Sequence, residues 1–279
     1  MLDLFTKIKN NAPLIMGIVN VTPDSFFDGG DYNAPQAAIN HGLELLGHGA
    51  DILDIGGEST RPNAEIVSVE DEIARVLPVI KGLKEKAKFI SIDTRNAATM
   101  HAAIMAGANI INDVSALTHD PESMGVAAQS ALPICLMHMK GTPQTMQNEP
   151  TYTDVIDEIM KYFEKRLEEC EAHGINPSRV IIDPGIGFGK TLEHNLLILK
   201  NLNRFQVLGC PVLLGVSRKS FIGTLDQNAK NAKDRLGGSL AAALYGAFNG
   251  DAQILRVHDV ADTRQSINVY HAISSAGSL

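Results

Sequence analysis

Short apolar runs alternate with longer stretches of helical periodicity along the whole chain. The short runs are rich in β-branched residues and are bounded by Gly, Pro, Asn or Asp, which is typical of strands buried on both faces. They cover residues 14–21, 51–56, 88–94, 109–115, 133–139, 179–185, 211–217 and 252–260.

The stretches between these runs predict helices. Apolar residues recur at helical spacing from Val69 to Leu83, and a similar pattern begins at Val155 and continues to Cys170. Several of these stretches end, just before the next strand, at the residue type that most often terminates a helix. These glycines are Gly49, Gly107, Gly174 and Gly209.

Eight strand–helix units with short connections predict a parallel sheet. Because eight strands close into a barrel, we predict a fold of the α/β class, a single (β/α)8 TIM barrel in which residues 1–279 form one domain. The alternative is an open doubly wound sheet, since strand order cannot be read from the sequence. Residues 234–250 are small and apolar nearly all round, so this segment either packs tightly on the barrel or forms a subunit interface.

Composition indicates an ordinary globular protein, with 44% hydrophobic and 20% charged residues in 279. The net charge of -8 argues against a general nucleic-acid binder. No run approaches the roughly 20 apolar residues of a membrane span, and the N-terminus has no secretory pattern. The three cysteines form no C-x-x-C pair, which fits a reducing compartment. We therefore expect a cytoplasmic protein with no nucleic-acid or membrane partner.

Polar and ionisable residues stand at the carboxyl ends of the predicted strands, where barrel enzymes carry their active sites. Burying so many unpaired charges is costly, so a ligand pocket explains them better than a solvated barrel mouth alone. The residues are Asn20, Thr60, Arg61, Asp93, Asn112, Asp113, His138, Asp183, Ser217, Arg218, Lys219, Ser220, Arg256 and His258.

The basic members of this set predict a cationic mouth. Arg256 and His258 are two residues apart on one strand and therefore point to the same face. An anionic substrate or leaving group is the expected ligand of the whole group. The alternative is that each cation pairs with a nearby acid such as Glu58 or Asp259. The group consists of Arg61, Arg218, Lys219, Arg256 and His258.

A second group consists of Asp93, Asn112 and Asp183. Two carboxylates and an amide suit a flat heterocycle with several N–H donors, because a carboxylate accepts two parallel N–H bonds. A metal site is the rival interpretation, but only His138 is nearby as a soft ligand, and no zinc-binding spacing is present. Mg²⁺ carried by a phosphate substrate and touching Asn20 is compatible with the sequence.

Residues 185–191, GIGFGKT, resemble a phosphate-binding P-loop only superficially. The P-loop pattern requires a glycine at position 184, which is Pro184. We interpret these glycines as positions where backbone approaches a ligand, with Phe188 as an apolar wall.

Eight motifs in order resemble those of the dihydropteroate synthase family. They are NVTPDSFFDGG, GGESTRP, IDT, INDVS, LMHMKGTPQTMQ, DPGIGFGK, GVSRKSFIG and RVHDV, and the resemblance runs from Pro13 to Ala272. That family of barrel enzymes, the sulfonamide target, joins 6-hydroxymethyl-7,8-dihydropterin pyrophosphate to p-aminobenzoate and releases pyrophosphate. The resemblance implies small-molecule substrates, Mg²⁺ and a homodimer.

The resemblance also implies a role for each matching residue. The pterin is expected to bind Asp93, Asn112, Asp183 and Lys219. The pyrophosphate is expected to bind Asn20, Arg61, Arg256 and His258, with Mg²⁺ at Asn20. The p-aminobenzoate site is expected to be framed by Thr60, Arg61, Pro62, Phe188 and Ser220. The loops after the first two strands are expected to close over the site and include Asp24, Phe26 and Asp28.

The family chemistry is a dissociative substitution in which the C–O bond breaks first and leaves a pterin-methylene cation. Asp93 is expected to stabilise that cation, while the departing pyrophosphate is stabilised by the cationic mouth; the implied catalytic set is Asp93, Lys219, Arg256 and His258. No Ser-His-Asp or Cys-His nucleophile is needed. One departure is Phe27, where many members have a serine that supplies a hydroxyl.

Three alternatives share parts of this pattern. A methyltetrahydrofolate–corrinoid methyltransferase also binds a pterin with acids on a barrel, but it would not need TPDSF or the pair of Arg256 and His258. A pterin sensor would not need groups that stabilise a leaving pyrophosphate. A metal-dependent aldolase would need histidine ligands that the sequence lacks.

Overall fold

A computed structural model describes residues 4–10, 12–22, 34–59, 67–142, 145–146 and 150–276. In this part of the chain eight parallel strands form one sheet. The strands are β1 (Leu14–Asn20), β2 (Ile52–Gly56), β3 (Ile90–Asp93), β4 (Ile110–Asp113), β5 (Ile134–Met137), β6 (Val180–Asp183), β7 (Leu213–Leu214) and β8 (Ile254–Val257).

The sheet closes into a barrel. Its order is β6-β5-β4-β3-β2-β1-β8-β7, so every strand lies next to its neighbour in sequence or, for β8, next to β1. Ile182 on β6 forms a parallel bridge with Val212, and its amide donates to the Pro211 carbonyl at 2.9 Å, which joins the two ends of the sheet. The predicted (β/α)8 barrel is confirmed, and the open doubly wound alternative is wrong.

The helices surround the barrel, apart from α1, which precedes β1. They are α1 (Leu4–Asn10), α2 (Ala34–Gly47), α3 (Val69–Leu83), α4 (Ala97–Ala106), α5 (Ser123–Ser130), α6 (Val155–Ala172), α7 (Leu192–Lys200), α8 (Ser220–Leu225), α9 (Leu236–Phe248) and α10 (Val260–Ser274). Short 3-10 helices cover Pro177–Arg179, Leu202–Leu208 and Ala232–Arg235.

Local sequence accounts for where these helices begin and end. The Ser68 hydroxyl accepts from the Asp71 amide at the start of α3, and the Asp154 carboxylate accepts from two amides at the start of α6. Gly107 ends α4 with φ +127°, a conformation that side chains disfavour, and its amide donates to Ala103 O. The predicted helix end at Gly107 is therefore confirmed.

The apolar core has two parts. Most of it lies between the strands and the surrounding helices. The second part fills the amino-terminal end of the barrel lumen, where Leu4 and Ile8 of α1 close the barrel over Met16, Ile110 and Cys135. Cys135 is the core residue that its apolar run indicates, and none of the three cysteines forms a disulfide. Among the described residues, no helix is both long and apolar enough to cross a membrane.

Helix α9 packs very closely on the barrel along one side. A Cβ at Gly246 would lie 2.2 Å from Leu214 Cδ2, and one at Gly238 would lie 2.4 Å from Ile222 Cγ2. Tyr245, also on α9, is 44% exposed. Tight packing, one of the two interpretations of residues 234–250, is therefore present on one side of this helix.

Candidate active site

The lumen changes from apolar to polar along the strands. Because side chains two residues apart on a strand share a face, each inward apolar residue at the lower level is followed by an inward polar one above it. This happens on four strands, in the pairs Ile52 and Asp54, Ile110 and Asn112, Ile181 and Asp183, and Ile254 and Arg256. The polar layer lies at the carboxyl ends of the strands, where barrel enzymes bind their substrates.

Arg256 is the centre of this layer. Its Nε donates to Asp54 Oδ2 at 2.6 Å, and its Nη2 donates to Asp93 Oδ2 at 2.6 Å. Asn112 Nδ2 donates to both oxygens of Asp54 at 3.2 and 3.3 Å. Asp54 is 0% exposed, so its charge is compensated by a guanidinium and an amide rather than by water. Two carboxylates and one guanidinium give this network a net charge of about -1 when both acids are ionised.

Burial and neighbouring charges shift the pKa values in the network. Burial raises the pKa of Asp93 to about 7, an effect that Arg256 opposes and that Asp54 adds to. Burial alone would lower the pKa of Arg256, but the two carboxylates beside it raise it above its ordinary value. The arginine therefore stays charged, whereas Asp93 titrates near neutral pH and prefers its ionised form when positive charge develops nearby.

Asp183 lies at the end of β6 and is tied to the loop that follows. Its Oδ1 accepts from the Gly185 amide at 2.7 Å, and its carbonyl accepts from the His138 amide at 2.9 Å. Burial raises the pKa of Asp183, while the Gly185 N–H and the Lys219 ammonium lower it. A carboxylate that a basic group and an amide hold in a buried pocket is a suitable acceptor for the N–H donors of a ligand.

Lys219 and Phe188 meet beside Asp183. The Lys219 Nζ lies 4.0 Å from the centroid of the Phe188 ring, which is a cation–π contact. Lys219 directly precedes α8, and Ser220 is the exposed first residue of that helix. The structure thus brings together a cation, an aromatic wall and a hydroxyl-bearing residue that the sequence places on two different loops.

His258 is oriented by Ser217. The Ser217 Oγ accepts from the His258 amide at 3.1 Å and lies 3.0 Å from His258 Nδ1. Since the hydroxyl oxygen already accepts from the backbone, its hydrogen is available for Nδ1, which favours the tautomer with a hydrogen on Nε2. Asn20, the last residue of β1, is half-buried and pairs in register with Gly56.

Arg218 does not contribute a free cation to the predicted mouth. Its Nε donates to Asp259 Oδ2 at 3.0 Å, and its Nη2 also bonds this carboxylate, so the alternative pairing with a local acid is realised here. Arg218 has φ +58° and its amide donates to Ser239 Oγ at 2.8 Å. Glu58, the other acid considered, pairs with Arg95 at 3.0 Å.

Asp54 was not identified as a site residue from the sequence. Asp54 lies inside the run DILDIG. It could have been found with the rule already applied to Arg256 and His258, that residues two apart on a strand share a face, because this rule places Asp54 on the same face as buried Ile52. Asp113, by contrast, does not bind in the lumen; its carboxylate accepts from the Ser115 and Leu117 amides and holds the loop after β4.

Several predicted site residues lie outside the described part of the chain. They are Asp24, Phe26, Phe27, Asp28, Thr60, Arg61 and Pro62. In the described ranges, no three His, Cys, Asp or Glu side chains lie close enough together to hold a metal ion.

The chain is similar to known proteins over most of its length. A family model described as "Pterin binding enzyme" matches residues 16–258. The dihydropteroate synthase of Neisseria meningitidis serogroup B is 50% identical over 272 residues, which are 96% of this chain and 95% of that protein. The dihydropteroate synthase of Escherichia coli is 44% identical over 272 residues, which are 97% of this chain and 95% of that protein.

Solved structures agree with these relatives. The Yersinia pestis dihydropteroate synthase with a sulfonamide drug complex superposes with a TM-score of 0.89 at 42% identity, covering 97% of this chain and 96% of that chain. The Xanthomonas albilineans dihydropteroate synthase with 4-aminobenzoic acid gives a TM-score of 0.89 at 46% identity, covering 95% and 94%. The same enzyme with 7,8-dihydropteroate gives 0.86 at 43% identity, covering 95% of both chains.

Proposed function

The chain belongs to the dihydropteroate synthase family of pterin binding enzymes, and on this premise we propose how its site carries out the family reaction. The protein is a transferase of folate biosynthesis. It condenses 6-hydroxymethyl-7,8-dihydropterin pyrophosphate with p-aminobenzoate and forms 7,8-dihydropteroate and pyrophosphate. The observation that carries the assignment is the polar layer in the lumen: Arg256 binds Asp54 and Asp93, Asn112 binds Asp54, and the Asp183 carboxylate lies close enough to raise the pKa of Arg256.

The pterin binds among the acids and the amide. The Asp183 carboxylate and the Asn112 amide oxygen accept from N–H donors at the edge of the flat ring, since the Asn112 NH2 group donates to Asp54. Lys219 lies near Asp183, where its charge lowers the pKa of that residue. Such a set matches a heterocycle that has several N–H donors and a carbonyl oxygen. Asp93 lies on the neighbouring strand to Asn112, with which it pairs in register.

The reaction begins with cleavage of the C–O bond between the pterin methylene and pyrophosphate. The bonding electron pair leaves on the pyrophosphate oxygen, and the methylene carbon becomes a cation. The ionised carboxylate of Asp93, which is largely buried, stabilises this cation as a fixed charge. The arylamine nitrogen then attacks the methylene carbon with its lone pair, and its proton passes to the released pyrophosphate or to water, so no protein nucleophile is needed.

The leaving pyrophosphate binds at Asn20, His258 and Arg256. Two of the five N–H donors of Arg256, on Nε and Nη2, bind carboxylates, which leaves the two Nη1 donors and one Nη2 donor for the pyrophosphate. His258 presents Nε2–H when Ser217 holds its Nδ1. Arg61 is assigned here as well as to the p-aminobenzoate site, and it lies outside the described residues.

Mg²⁺ bound to the pyrophosphate fits the donors that are present. The Asn20 amide oxygen is a hard ligand of the kind Mg²⁺ prefers, and one protein ligand suffices for an ion that arrives with its substrate. The ion would supply positive charge to the departing pyrophosphate. The p-aminobenzoate would lie against Phe188, Lys219 and Ser220.

Three broader proposals accompany this function. Residues 1–279 act as one domain, and the protein is cytoplasmic.

The third proposal is that the protein forms a homodimer through exposed apolar side chains of α9 and α7. Tyr245 on α9 is 44% exposed, and Leu196 and Leu197 on α7 are each 40% exposed. Exposed apolar side chains on two helices that pack together are typical of a subunit interface. Light scattering on the wild type and on Tyr245→Arg tests the dimer, and a wild-type monomer would contradict it.

A pyrophosphate-release assay with both substrates tests the proposed reaction. We expect one pyrophosphate per 7,8-dihydropteroate, with release depending on the pterin substrate. Asp183→Asn should abolish most of the activity, because it removes a charged acceptor from the pterin pocket. Release without arylamine product, or no release by folded wild-type protein, would contradict the proposal.

A further inference from the structure

The glycine-rich segment 184–189 is wrapped around the side chain of the lysine that follows it. Lys190 is 3% exposed, and its Nζ lies 2.9 Å from the Phe188 carbonyl oxygen, 3.0 Å from His138 Nδ1 and 3.3 Å from the His138 carbonyl oxygen. An ammonium has three N–H donors, so these three acceptors match its full capacity. In a P-loop the lysine reaches out to phosphate, whereas this lysine binds the backbone of its own loop.

Lys190 joins two loops that touch directly. A Cβ at Gly185, where φ is +69°, would lie 2.0 Å from the His138 carbonyl oxygen, and a Cβ at Gly189, where φ is +64°, would lie 2.4 Å from the Lys140 carbonyl oxygen. Only glycine permits this approach of the loop after β6 to the end of β5. Because Lys190 donates to both segments, it fixes their relative position.

This arrangement carries an energetic cost. The partners of the Lys190 ammonium are two carbonyls and an imidazole, all neutral acceptors. Burial lowers the pKa of Lys190 to about 7, a shift that Asp183 opposes and Lys219 increases. A buried amine without the direct partner that a carboxylate would provide is expensive, which points to a role in the site rather than in stability.

The loop that Lys190 holds carries Phe188, and the Phe188 ring lies beneath the Lys219 ammonium. We propose that Lys190 is a positioning residue that fixes Phe188 at the point where the arylamine meets the pterin. This inference rests on the proposed function, in which Phe188 is the wall of the p-aminobenzoate site.

Lys190→Met tests the role, because methionine has a similar length and removes all three N–H donors. We expect the KM for p-aminobenzoate to rise about 10-fold, a loss of about 1.4 kcal/mol, while the KM for the pterin substrate stays within twofold. The matched control is Lys140→Met. The Lys140 ammonium bonds Thr151 O and Glu158 and not the Phe188 carbonyl. Its substitution therefore removes the same charge near the same loop but no hydrogen bond to Phe188. Both KM values of the control should stay within twofold of wild type.

A double-mutant cycle with Phe188→Leu separates positioning from a general effect. Phe188→Leu alone should raise the KM for p-aminobenzoate. If Lys190 acts through Phe188, adding Lys190→Met to that variant should change this KM less than twofold. An unchanged KM in Lys190→Met, equal losses for both substrates, or fully additive effects in the double variant would overturn the inference.

Two further results keep the test decisive. Lys190→Gln keeps an N–H donor on a shorter side chain and replaces Lys190→Met if that variant does not fold. In Lys190→Gln, too, the KM for p-aminobenzoate should rise while the KM for the pterin substrate stays unchanged. If neither variant folds, Lys190 is a structural residue and the inference is wrong. Wild-type pyrophosphate release with both substrates tests the proposed function separately, because it does not depend on Lys190.

Discussion

Arg256 Nη2 donates to Asp93 Oδ2 at 2.6 Å, which joins β8 to β3 across the lumen of the barrel. The same guanidinium donates to Asp54 on β2 at 2.6 Å. Arg256 of the predicted cation group is therefore joined to Asp93 and, through Asp54, to Asn112 of the predicted acid group. The net negative charge of this network suits a substrate that becomes positive at its methylene carbon, and the arginine keeps Asp93 in place for that task.

Asp54→Asn tests the buried member of this network. Asparagine keeps the shape but removes the charge that compensates Arg256, and the loss of one partner of a buried ion pair is strongly destabilising. We expect the free energy of unfolding in urea to fall by about 2–4 kcal/mol, and kcat/KM for the pterin substrate to fall about 100-fold.

Asp51→Asn is the matched control for that substitution. Asp51 directly precedes the same strand and also binds two cations, Lys7 at 2.6 Å and Arg264 at 2.6 Å, but it lies at the opposite end of the barrel. We expect it to lower stability by about 1 kcal/mol and leave kcat/KM within twofold of wild type. Equal kinetic effects of the two substitutions would show that Asp54 has no special link to the site.

Asp93→Asn should separate turnover from binding. The amide still accepts a hydrogen bond from Arg256 and fills the same space, but it cannot stabilise a carbocation with a full negative charge. We expect kcat to fall by about 100-fold or more, as when one fixed electrostatic group is removed, with the Kd for the pterin substrate changed less than about threefold. Single-turnover kinetics and equilibrium binding measure the two quantities. Equal losses in both would remove the proposed role of Asp93.

Particular residues show how far the sequence alone could go. The β-branched runs place the strands, since alternation and burial are local properties. The exception is β7, which covers only Leu213–Leu214 of the predicted run 211–217, while Ser217 and Arg218 bind His258, Ser239 and Asp259. The sequence left open whether Arg218 faces a ligand or pairs with Asp259, because Asp259 lies 41 residues away, on the loop after another strand. Such pairings depend on which strands are neighbours, which is a tertiary property.

Asp54 and Lys190 illustrate a second limit. A carboxylate inside an apolar run has no local feature that reports its partner, and Arg256 is 202 residues away in the sequence. Lys190 follows a glycine-rich segment, and only the folded loop shows that its amine points inward. The residue types of the site were predictable, whereas their connections required the barrel to be closed.

Ser217→Ala tests how His258 is oriented. Without the hydroxyl, His258 Nδ1 and the His258 amide each lose a partner, so the imidazole is less fixed for binding pyrophosphate. We expect the KM for the pterin pyrophosphate to rise about fivefold, equivalent to about 1 kcal/mol for one hydrogen bond. Ser217→Thr retains the hydroxyl and should behave like wild type. If the alanine and threonine variants have the same KM, the hydroxyl is not the orienting group.

The stability of the protein in mild acid should depend on His138. Burial, together with the charge of the nearby Lys190, lowers the pKa of His138 to about 2, so the folded protein keeps this ring neutral. An unfolded chain protonates it below about pH 6.5. The folded state then binds fewer protons, so stability falls by about 1.4 kcal/mol for each pH unit below that value.

His138→Asn should remove this dependence while keeping an oxygen that accepts from Lys190. Between pH 6.5 and 5 we expect wild type to lose about 2 kcal/mol more than the variant in the free energy of unfolding measured with urea. His101→Asn, which replaces an exposed histidine of α4, should follow the wild-type curve. Parallel curves for wild type and His138→Asn would mean that the buried ring takes up a proton in the folded protein.

Gly246→Ala and Gly237→Ala form a matched pair on α9. A methyl group at Gly246 would meet Leu214 Cδ2 at 2.2 Å, and Leu214 is 0% exposed, so the core has little room to yield. No atom lies within 4 Å of the corresponding position at Gly237. We expect Gly246→Ala to lower the free energy of unfolding by about 1–3 kcal/mol through overpacking. Gly237→Ala should raise it by up to about 1 kcal/mol, because alanine restricts the unfolded chain and favours helix. Urea denaturation of both variants measures the difference, and a change of the same sign in both would contradict the close packing of α9 on β7.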